Sequence, residues 1–206
     1  MERRIGSMDG MELMASAMHA AQARLDVSAD NLANVSSAGF ERHLARTSLS
    51  VNGLATRREL DTERGSLRHT GREFDLATTS GTLFVEEGGH RVATRSGSFV
   101  LDEAGRLRDA RGRLLLGAEG PLVVRPGASI DERGVVREGD EVLGRLRMTA
   151  GTVVESGFLE ASNVDAVKEM VDILSAQRAF ETAQKTLVAL DDTRSKAVND
   201  VVRVKS

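Results

Sequence analysis

Residues 25–40 read Leu-Asp-Val-Ser-Ala-Asp-Asn-Leu-Ala-Asn-Val-Ser-Ser-Ala-Gly-Phe and pass from a helical pattern to a turn. The first half continues an apolar spacing of three and four residues that begins upstream. From Asn34 onward, polar side chains compete for backbone hydrogen bonds, and Gly39 tolerates a positive φ. The stretch therefore predicts that a helix stops here and that Phe40 restarts the chain in a new direction.

The upstream spacing predicts an amphipathic helix over residues 8–35. Seven of eight positions that alternate at intervals of three and four are apolar, which favours a coiled-coil seam over an ordinary surface helix. The positions are Met11, Met14, Met18, Ala21, Leu25, Ser28, Leu32 and Val35. Asp9 followed by Glu12 predicts a capping box, with Ser7 as the alternative cap. A helix packed on the core of its own domain remains the alternative to the seam.

A longer amphipathic pattern occupies the other end of the chain. No proline or glycine interrupts residues 158–206, so a helix of about forty residues, on the order of 60 Å, is predicted. Ser162 or Asn163 is the expected N-cap, with Asp165 in the first turn. Nine of ten positions in an unbroken alternation of three and four are apolar: Ile173, Ala176, Phe180, Ala183, Leu187, Leu190, Arg194, Ala197, Val201 and Val204. The two ends are expected to pair with each other, with neighbouring copies, or both.

Between the two helical patterns, residues 56–155 consist of short apolar or β-branched runs separated by turn signals. Seventeen of the twenty glycines and both prolines lie between Gly53 and Gly157, which indicates an all-β module with a boundary on each side. The predicted fold class is α+β, in which long N- and C-terminal helices form a coiled-coil-like pair around an inserted all-β domain. The predicted domains are an assembly helix at 1–40, a linker at 41–55, the β domain at 56–155 and an assembly helix at 156–206.

Composition and motifs exclude several functions. The chain has no cysteine and a net charge of −3, so disulfides and thiolate metal sites are excluded and nucleic-acid binding is not indicated. The four histidines have no metal-ligand spacing, and the motifs of nucleotide binding and serine catalysis are missing. We therefore predict no catalytic residues, no metal, no cofactor and no small-molecule substrate. Residues 1–10 contain a basic pair but no apolar stretch after it, so neither a signal peptide nor a membrane helix is predicted, which by itself favours the cytoplasm.

Three groups of residues resemble the bacterial flagellar rod and hook proteins. The first is the N-terminal signature, carried by Leu25-Asp26-Val27, by Asn31-Leu32-Ala33-Asn34-Val35 and by Gly39-Phe40. Three positions depart from it: Asp30 stands in place of an asparagine, Ala38 in place of a proline and Glu41 in place of a lysine. The second runs from Gly71 to Leu107 and includes Ala93-Thr94-Arg95-Ser96-Gly97. The third, near the C-terminus, is Gly157-Phe158-Leu159-Glu160-Ala161-Ser162-Asn163-Val164 followed by Glu169-Met170-Val171 and Ala176-Gln177-Arg178-Ala179-Phe180.

The resemblance implies a structural subunit of the bacterial flagellar basal-body rod, most like the proximal or distal rod proteins, and no enzyme. Such a subunit polymerises through its terminal helices into a helical tube that transmits torque. Its implied partners are further copies, other flagellar rod and hook proteins, the flagellar export apparatus and surrounding ring proteins. Export across the inner membrane would then occur without a cleaved signal peptide, to the basal body.

The expected assembly interface combines seam positions with residues of the two terminal signatures. It comprises Met11, Met14, Met18, Leu25, Asn31, Leu32, Asn34, Gly39, Phe40, Asn163, Val164, Met170, Ile173, Phe180, Leu187 and Leu190. The alternative function is a cell-wall carbohydrate-binding β module on a coiled-coil stalk, with or without hydrolase activity. The scarcity of aromatic residues, 3% of the chain, argues against that alternative, because aromatic platforms are the usual means of stacking on sugar rings.

Overall fold

The computed structural model describes residues 9–204, with side chains described for 9–197. The chain divides into two compact units. Unit 1 contains the described parts of both chain ends, 9–35 and 164–204, together with Glu41–Thr62. Unit 2 contains Ser36–Phe40 and Glu63–Asn163. Among the described residues, no helix is both long enough and apolar enough to cross a membrane.

Unit 1 consists of two helices and a hairpin: α1 (Gly10–Ala33), β1 (His43–Ser50), β2 (Gly53–Leu60) and α2 (Ala166–Val204). Asp9 at the start of α1 lies 3.4 Å from the guanidinium of Arg194 near the end of α2. The two helices are therefore antiparallel. The predicted fold class, α+β with paired terminal helices around a β insertion, is confirmed.

The two helix starts show where local sequence rules hold. Asp9 is the N-cap of α1, and its backbone N–H donates to the carboxylate of Glu12 at 3.4 Å; the alternative cap, Ser7, lies outside the described residues. At α2 the N-cap prediction is wrong, because the cap is Asp165 and neither Ser162 nor Asn163. The Asp165 carboxylate accepts the N–H of Val167 at 2.9 Å, as an N-cap does.

The segment 41–55 is not the predicted linker. Strands β1 and β2 form an antiparallel hairpin whose register runs from His43 opposite Leu60 to Ser50 opposite Gly53. The hairpin lies against α1, with residues 43–45, 53 and 54 buried or half-buried and most of the others exposed. Such a ribbon needs few apolar residues, so its composition resembles that of a linker. The β insertion therefore differs from the predicted 56–155, since residues 53–60 belong to unit 1.

Unit 2 is all-β, and its strands are antiparallel. A seven-stranded sheet has the order β13-β4-β7-β8-β9-β5-β6, while β10-β11-β12 and β14-β3 form smaller sheets. The strands are β3 (Leu67–His69), β4 (Asp75–Ser80), β5 (Leu83–Glu87), β6 (His90–Thr94), β7 (Ser96–Leu101), β8 (Leu107–Asp109), β9 (Leu114–Leu115), β10 (Ser129–Ile130), β11 (Val135–Glu138), β12 (Glu141–Arg145), β13 (Val153–Ser156) and β14 (Phe158–Glu160). The core is aliphatic with one aromatic residue, Phe99, and includes Leu76, Leu83, Val85, Leu107, Leu115, Val136 and Val154.

Candidate assembly interface

The inner face of α2 follows the predicted seam. Ala176 is fully buried and Ala183 is 6% exposed, which lets the two helices approach closely. Three larger seam side chains beside these alanines are half-buried: Ile173, Phe180 and Leu187. At the far end of the pair, a Cβ on Gly10 would lie 3.5 Å from Cδ1 of Leu190.

The seam of α1 is only partly covered within one chain. Ala21 and Ser28 are buried as predicted, but their neighbours Ala20 and Val27 are buried as well. The larger seam side chains of α1 are half-buried, like those of α2: Met11, Met14, Met18, Leu25 and Leu32. The buried apolar residues of the two helices are therefore mostly alanines, and the larger seam side chains are half-buried.

A second apolar surface covers the opposite face of α2. Val167 is 71% exposed, Met170 52%, Val171 59% and Leu174 55%. These four residues occupy two successive turns, and we call them the outer patch. Val188, further along the helix, is 56% exposed. An exposed apolar surface of this kind marks a site of protein contact.

Asn31 connects α1 to the hairpin and is fully buried. Its amide nitrogen donates to the carbonyl of His43 at 2.8 Å, and its carbonyl oxygen accepts the N–H of the same residue at 2.8 Å. The side chain of Asn34 donates to the carbonyl of Asp30 in the last turn of α1 at 2.9 Å. Asn31 therefore holds the first residue of β1 in place within the chain.

A buried ion pair joins the hairpin base to α2. Nε of Arg42 lies 2.5 Å from Oε1 of Glu169, and Glu169 is fully buried. Asp61 and Asp172 lie 3.7 Å and 3.6 Å from the same guanidinium. Sequence reasoning missed this pair. The burial of Glu169 was predictable, because Glu169 lies four residues before Ile173 and thus occupies the position that extends the seam by one turn.

His43 sits at the same junction. Burial and the nearby Arg58 guanidinium lower the pKa of His43 below its ordinary value, against the carboxylates of Asp30 and Glu41, which raise it. Arg58 itself forms an ion pair with Asp30 of α1. Polar contacts of Asn31 and Arg58 therefore help to hold the hairpin on α1.

In unit 2, the corner after α1 differs from the prediction. Gly39 has the predicted positive φ of 69°, but it does not end the helix, because α1 stops at Ala33 with Asn34 as its C-cap. The N–H of Phe40 donates to the carbonyl of Ser37 at 3.2 Å. With positive φ only at its third residue, this is a type II turn.

The third signature also supplies buried polar contacts inside unit 2. Glu160 is 1% exposed and lies 3.2 Å from the guanidinium of Arg95, while the N–H of Gly65 donates to it at 3.0 Å. The side chain of Asn163 donates to the carbonyl of Glu63 at 2.8 Å. Several signature residues therefore stabilise unit 2 through polar contacts within the chain. Val164, the first residue of the C-terminal part of unit 1, is 9% exposed.

The structure offers little for catalysis or sugar binding. Within residues 9–197, no group of three or more acidic or histidine side chains could hold a metal ion. Phe99 is in the core and Phe74 packs against it. The ring of Phe84 is covered by Arg91, whose guanidinium carbon lies 5.2 Å from the ring centroid.

Two family models match the ends of the chain. The model described as "Flagella basal body rod protein" matches residues 11–40, which include α1 and the type II turn. The model described as "Flagellar basal body rod FlgEFG protein C-terminal" matches residues 155–200, which include β14 and most of α2. The first match includes the buried Asn31, and the second includes the buried Glu169.

Full-length relatives agree with these matches. The chain is 30% identical to flagellar basal-body rod protein FlgF of Escherichia coli, over 88% of this chain and 95% of that protein. It is 28% identical to FlgF of Mesorhizobium japonicum, over 84% and 89%, and 25% identical to rod protein FlgG of Bacillus subtilis, over 89% and 96%. The chain belongs to the family of flagellar basal-body rod proteins.

Proposed function

We propose that this protein is a structural subunit of the bacterial flagellar basal-body rod, which polymerises through unit 1 into a helical tube that transmits torque. The observation that carries the proposal is the uncovered apolar surface of unit 1. The two helices bury mainly alanines between them, while four apolar residues of the outer patch are each more than half exposed. Burying a side chain of this kind contributes roughly 1.5–3 kcal/mol, so lateral packing is strongly favoured.

The expected interface residues divide into two groups. Met170 lies in the outer patch, and the half-buried seam residues of α1 keep part of their surface exposed; both can contact a neighbouring subunit. Asn31 and Gly39 instead hold the hairpin and the turn within the chain, and they support assembly by fixing the shape of the subunit. Contacts between different surfaces of identical subunits continue as an open helix when their rotation does not close a ring, as a tube requires.

The proposed partners follow from the family. They are further copies, other flagellar rod and hook proteins, and the surrounding ring proteins of the basal body. We propose that the chain reaches this site through the flagellar export apparatus, without a cleaved signal peptide. Its role is structural and involves no enzymatic activity. No observation favours the carbohydrate-binding alternative, since the rings of Phe74 and Phe99 are packed in or against the core and that of Phe84 is covered by Arg91.

Charged substitutions in the outer patch test the proposal. The double variant Val171→Glu with Leu174→Glu should reduce incorporation into purified basal bodies about tenfold or more, because it removes apolar burial at two sites. Its matched control is Ser175→Glu with Thr182→Glu, which adds the same charge at exposed polar positions of α2. Circular dichroism should show both proteins folded. Normal incorporation of the patch variant would contradict the proposal.

A further inference from the structure

The loop of the hairpin in unit 1 consists of Val51 and Asn52, which lie between the paired residues Ser50 and Gly53. Asn52 is exposed, and its side chain makes no hydrogen bond to any described residue. Its backbone N–H donates to Oγ of Ser50 at 3.3 Å, and that hydroxyl donates to the carbonyl of Gly53 at 3.0 Å. A free side-chain amide therefore lies beside the backbone nitrogen of a residue that has no side chain to shield it.

The other asparagines whose side chains the structure describes are held differently. Asn31 is buried, and both polar atoms of its amide bond to the backbone of His43. Asn34 and Asn163 each donate to a backbone carbonyl, at 2.9 Å and 2.8 Å. Each of the three is also followed by a branched residue, whose side chain hinders approach to the amide: Leu32, Val35 and Val164. Asn52 is thus the described asparagine whose amide is free to turn toward the following backbone nitrogen.

An asparagine amide in this setting can react with its own main chain. The backbone nitrogen of Gly53 loses its proton to hydroxide and bonds to Cγ of Asn52, while the bond between Cγ and the amide nitrogen breaks. That nitrogen leaves as ammonia after taking a proton from water, which returns the hydroxide, and a five-membered succinimide ring remains. Water then adds to one of the two ring carbonyls and opens the ring. The products are aspartate or isoaspartate, in which the main chain runs through the former side-chain carbon.

We propose that Asn52 is a site of spontaneous deamidation, with solvent water as the co-reactant and ammonia as the leaving group. The inference goes beyond the proposed function and does not depend on it. Gly53 is buried, so hydroxide reaches its N–H when the loop opens. Opening of this kind is favoured at the end of a two-stranded hairpin, which is marginally stable by itself.

The modification would change the surface of the hairpin loop. Both products place a carboxylate beside Val51, which is 78% exposed. Isoaspartate also lengthens the main chain within a two-residue loop, whose geometry fixes the pairing of the strands. An apolar loop thus becomes a charged one without the action of an enzyme.

Incubation of the purified full-length protein tests the proposal. Deamidation raises the mass of a peptide by about 1 Da, and mass spectrometry with electron-based fragmentation separates aspartate from isoaspartate. We expect the peptide that contains Asn52 to convert at least about tenfold faster than the peptides of Asn31, Asn34 and Asn163. The conversion should be faster at about pH 8.5 than at about pH 7.5, because hydroxide removes the proton of the opened Gly53 N–H. Digestion in acid, with a sample taken before incubation, excludes deamidation during preparation.

Three variants complete the test. Ser50→Ala removes both hydroxyl contacts that hold the loop and should speed the conversion, whereas Ser48→Ala, at an exposed position of β1, should leave its rate unchanged. Asn52→Gln should abolish the conversion, because the longer side chain does not close a five-membered ring. The proposal would be overturned if the Asn52 peptide converted no faster than the others, or if aspartate formed without isoaspartate. An unchanged rate in Ser50→Ala would overturn the role of loop opening.

Discussion

The two units of this protein differ in the kinds of side chains that they bury. In unit 2, seven large aliphatic side chains are at most 1% exposed: Leu76, Leu83, Val85, Leu107, Leu115, Val136 and Val154. In the described part of unit 1, the buried apolar residues are alanines and two valines, and its fully buried larger side chains are the polar Asn31 and Glu169. Unit 2 thus contains its own apolar core, whereas the large apolar side chains of unit 1 are half-buried or exposed.

This difference assigns a role to each unit. A β unit with its own apolar core does not depend on partners for its stability, since its core side chains are already removed from water. A helix pair with an incomplete core gains stability when neighbours cover it, since most helical stability in proteins comes from packing of an apolar face. Changes in unit 1 should therefore affect assembly first, and changes in unit 2 should affect folding first.

The largest effect is expected from a charge in the seam of α2. Leu187→Asp, like Phe180→Asp, places a carboxylate in the contact with α1 and should cost unit 1 about 2–5 kcal/mol. We expect loss of motility and of incorporation into basal bodies, with the β signal of unit 2 retained in circular dichroism. Thr186→Asp, at an exposed neighbouring position, serves as the control. Loss of the β signal in Leu187→Asp would show that the two units fold as one.

The buried carboxylates compare the units directly. Glu160→Gln removes the carboxylate charge beside the buried guanidinium of Arg95 in unit 2 and should destabilise that unit by about 1.5–3 kcal/mol. Glu169→Gln should cost less, because Asp61 and Asp172 still lie within 3.7 Å of Arg42. Hydrogen exchange read by mass spectrometry should show faster exchange in unit 2 for the first variant and in unit 1 for the second. Equal changes in both units for either variant would contradict their independence.

A smaller effect is expected at the type II turn. Gly39→Val forces a β-branched residue into positive φ, at a cost of about 1–3 kcal/mol. Its added Cβ would also lie 3.4 Å from Cβ of Ser96. Ala38→Pro should stabilise by up to about 1 kcal/mol, since proline suits the second position of this turn and restricts the unfolded chain. Thermal unfolding of the two variants measures the difference, and an unchanged midpoint for Gly39→Val would refute the strained-turn account.

The sequence predicted the helices and the β insertion because their signals are local or periodic. The capping pair Asp9 and Glu12 and the alanine positions of the seam follow from spacing alone. The positive φ of Gly39 was also predictable, since few other residues adopt it. The outer patch was predictable as well, because its members are apolar residues of α2 that lie outside the seam.

The hairpin and the long-range polar contacts could not be predicted in the same way. The hairpin at 43–60 buries little apolar surface, and its face on α1 is held by Asn31 and Arg58, so no alternation of apolar residues marks it. The pair of Arg42 and Glu169 joins residues 127 positions apart, and a single sequence contains no signal for such a partner. The α2 cap shifted from Asn163 to Asp165 because Asn163 is bonded to Glu63 in unit 2.

The smallest expected effect is a pH dependence confined to unit 1. Burial and Arg58 lower the folded-state pKa of His43 below its ordinary value of 6.5, so the unfolded hairpin binds a proton more readily than the folded one. The resulting stability is present above that ordinary value and is lost as pH falls through the folded-state pKa. Amides of β1 should therefore exchange faster at about pH 5.5 than at about pH 7.5 after correction for intrinsic rates.

His43→Leu should remove this dependence without loosening the hairpin, because Asn31 bonds the backbone of residue 43 and not its ring. Unit 2 provides the internal reference: hydrogen bonds from Thr70, Ser98 and Arg72 outweigh burial and lower the pKa of Asp75, so its acid-sensitive window lies well below this range. A similar acceleration in unit 2, or a pH dependence that survives in His43→Leu, would mean that another group is responsible.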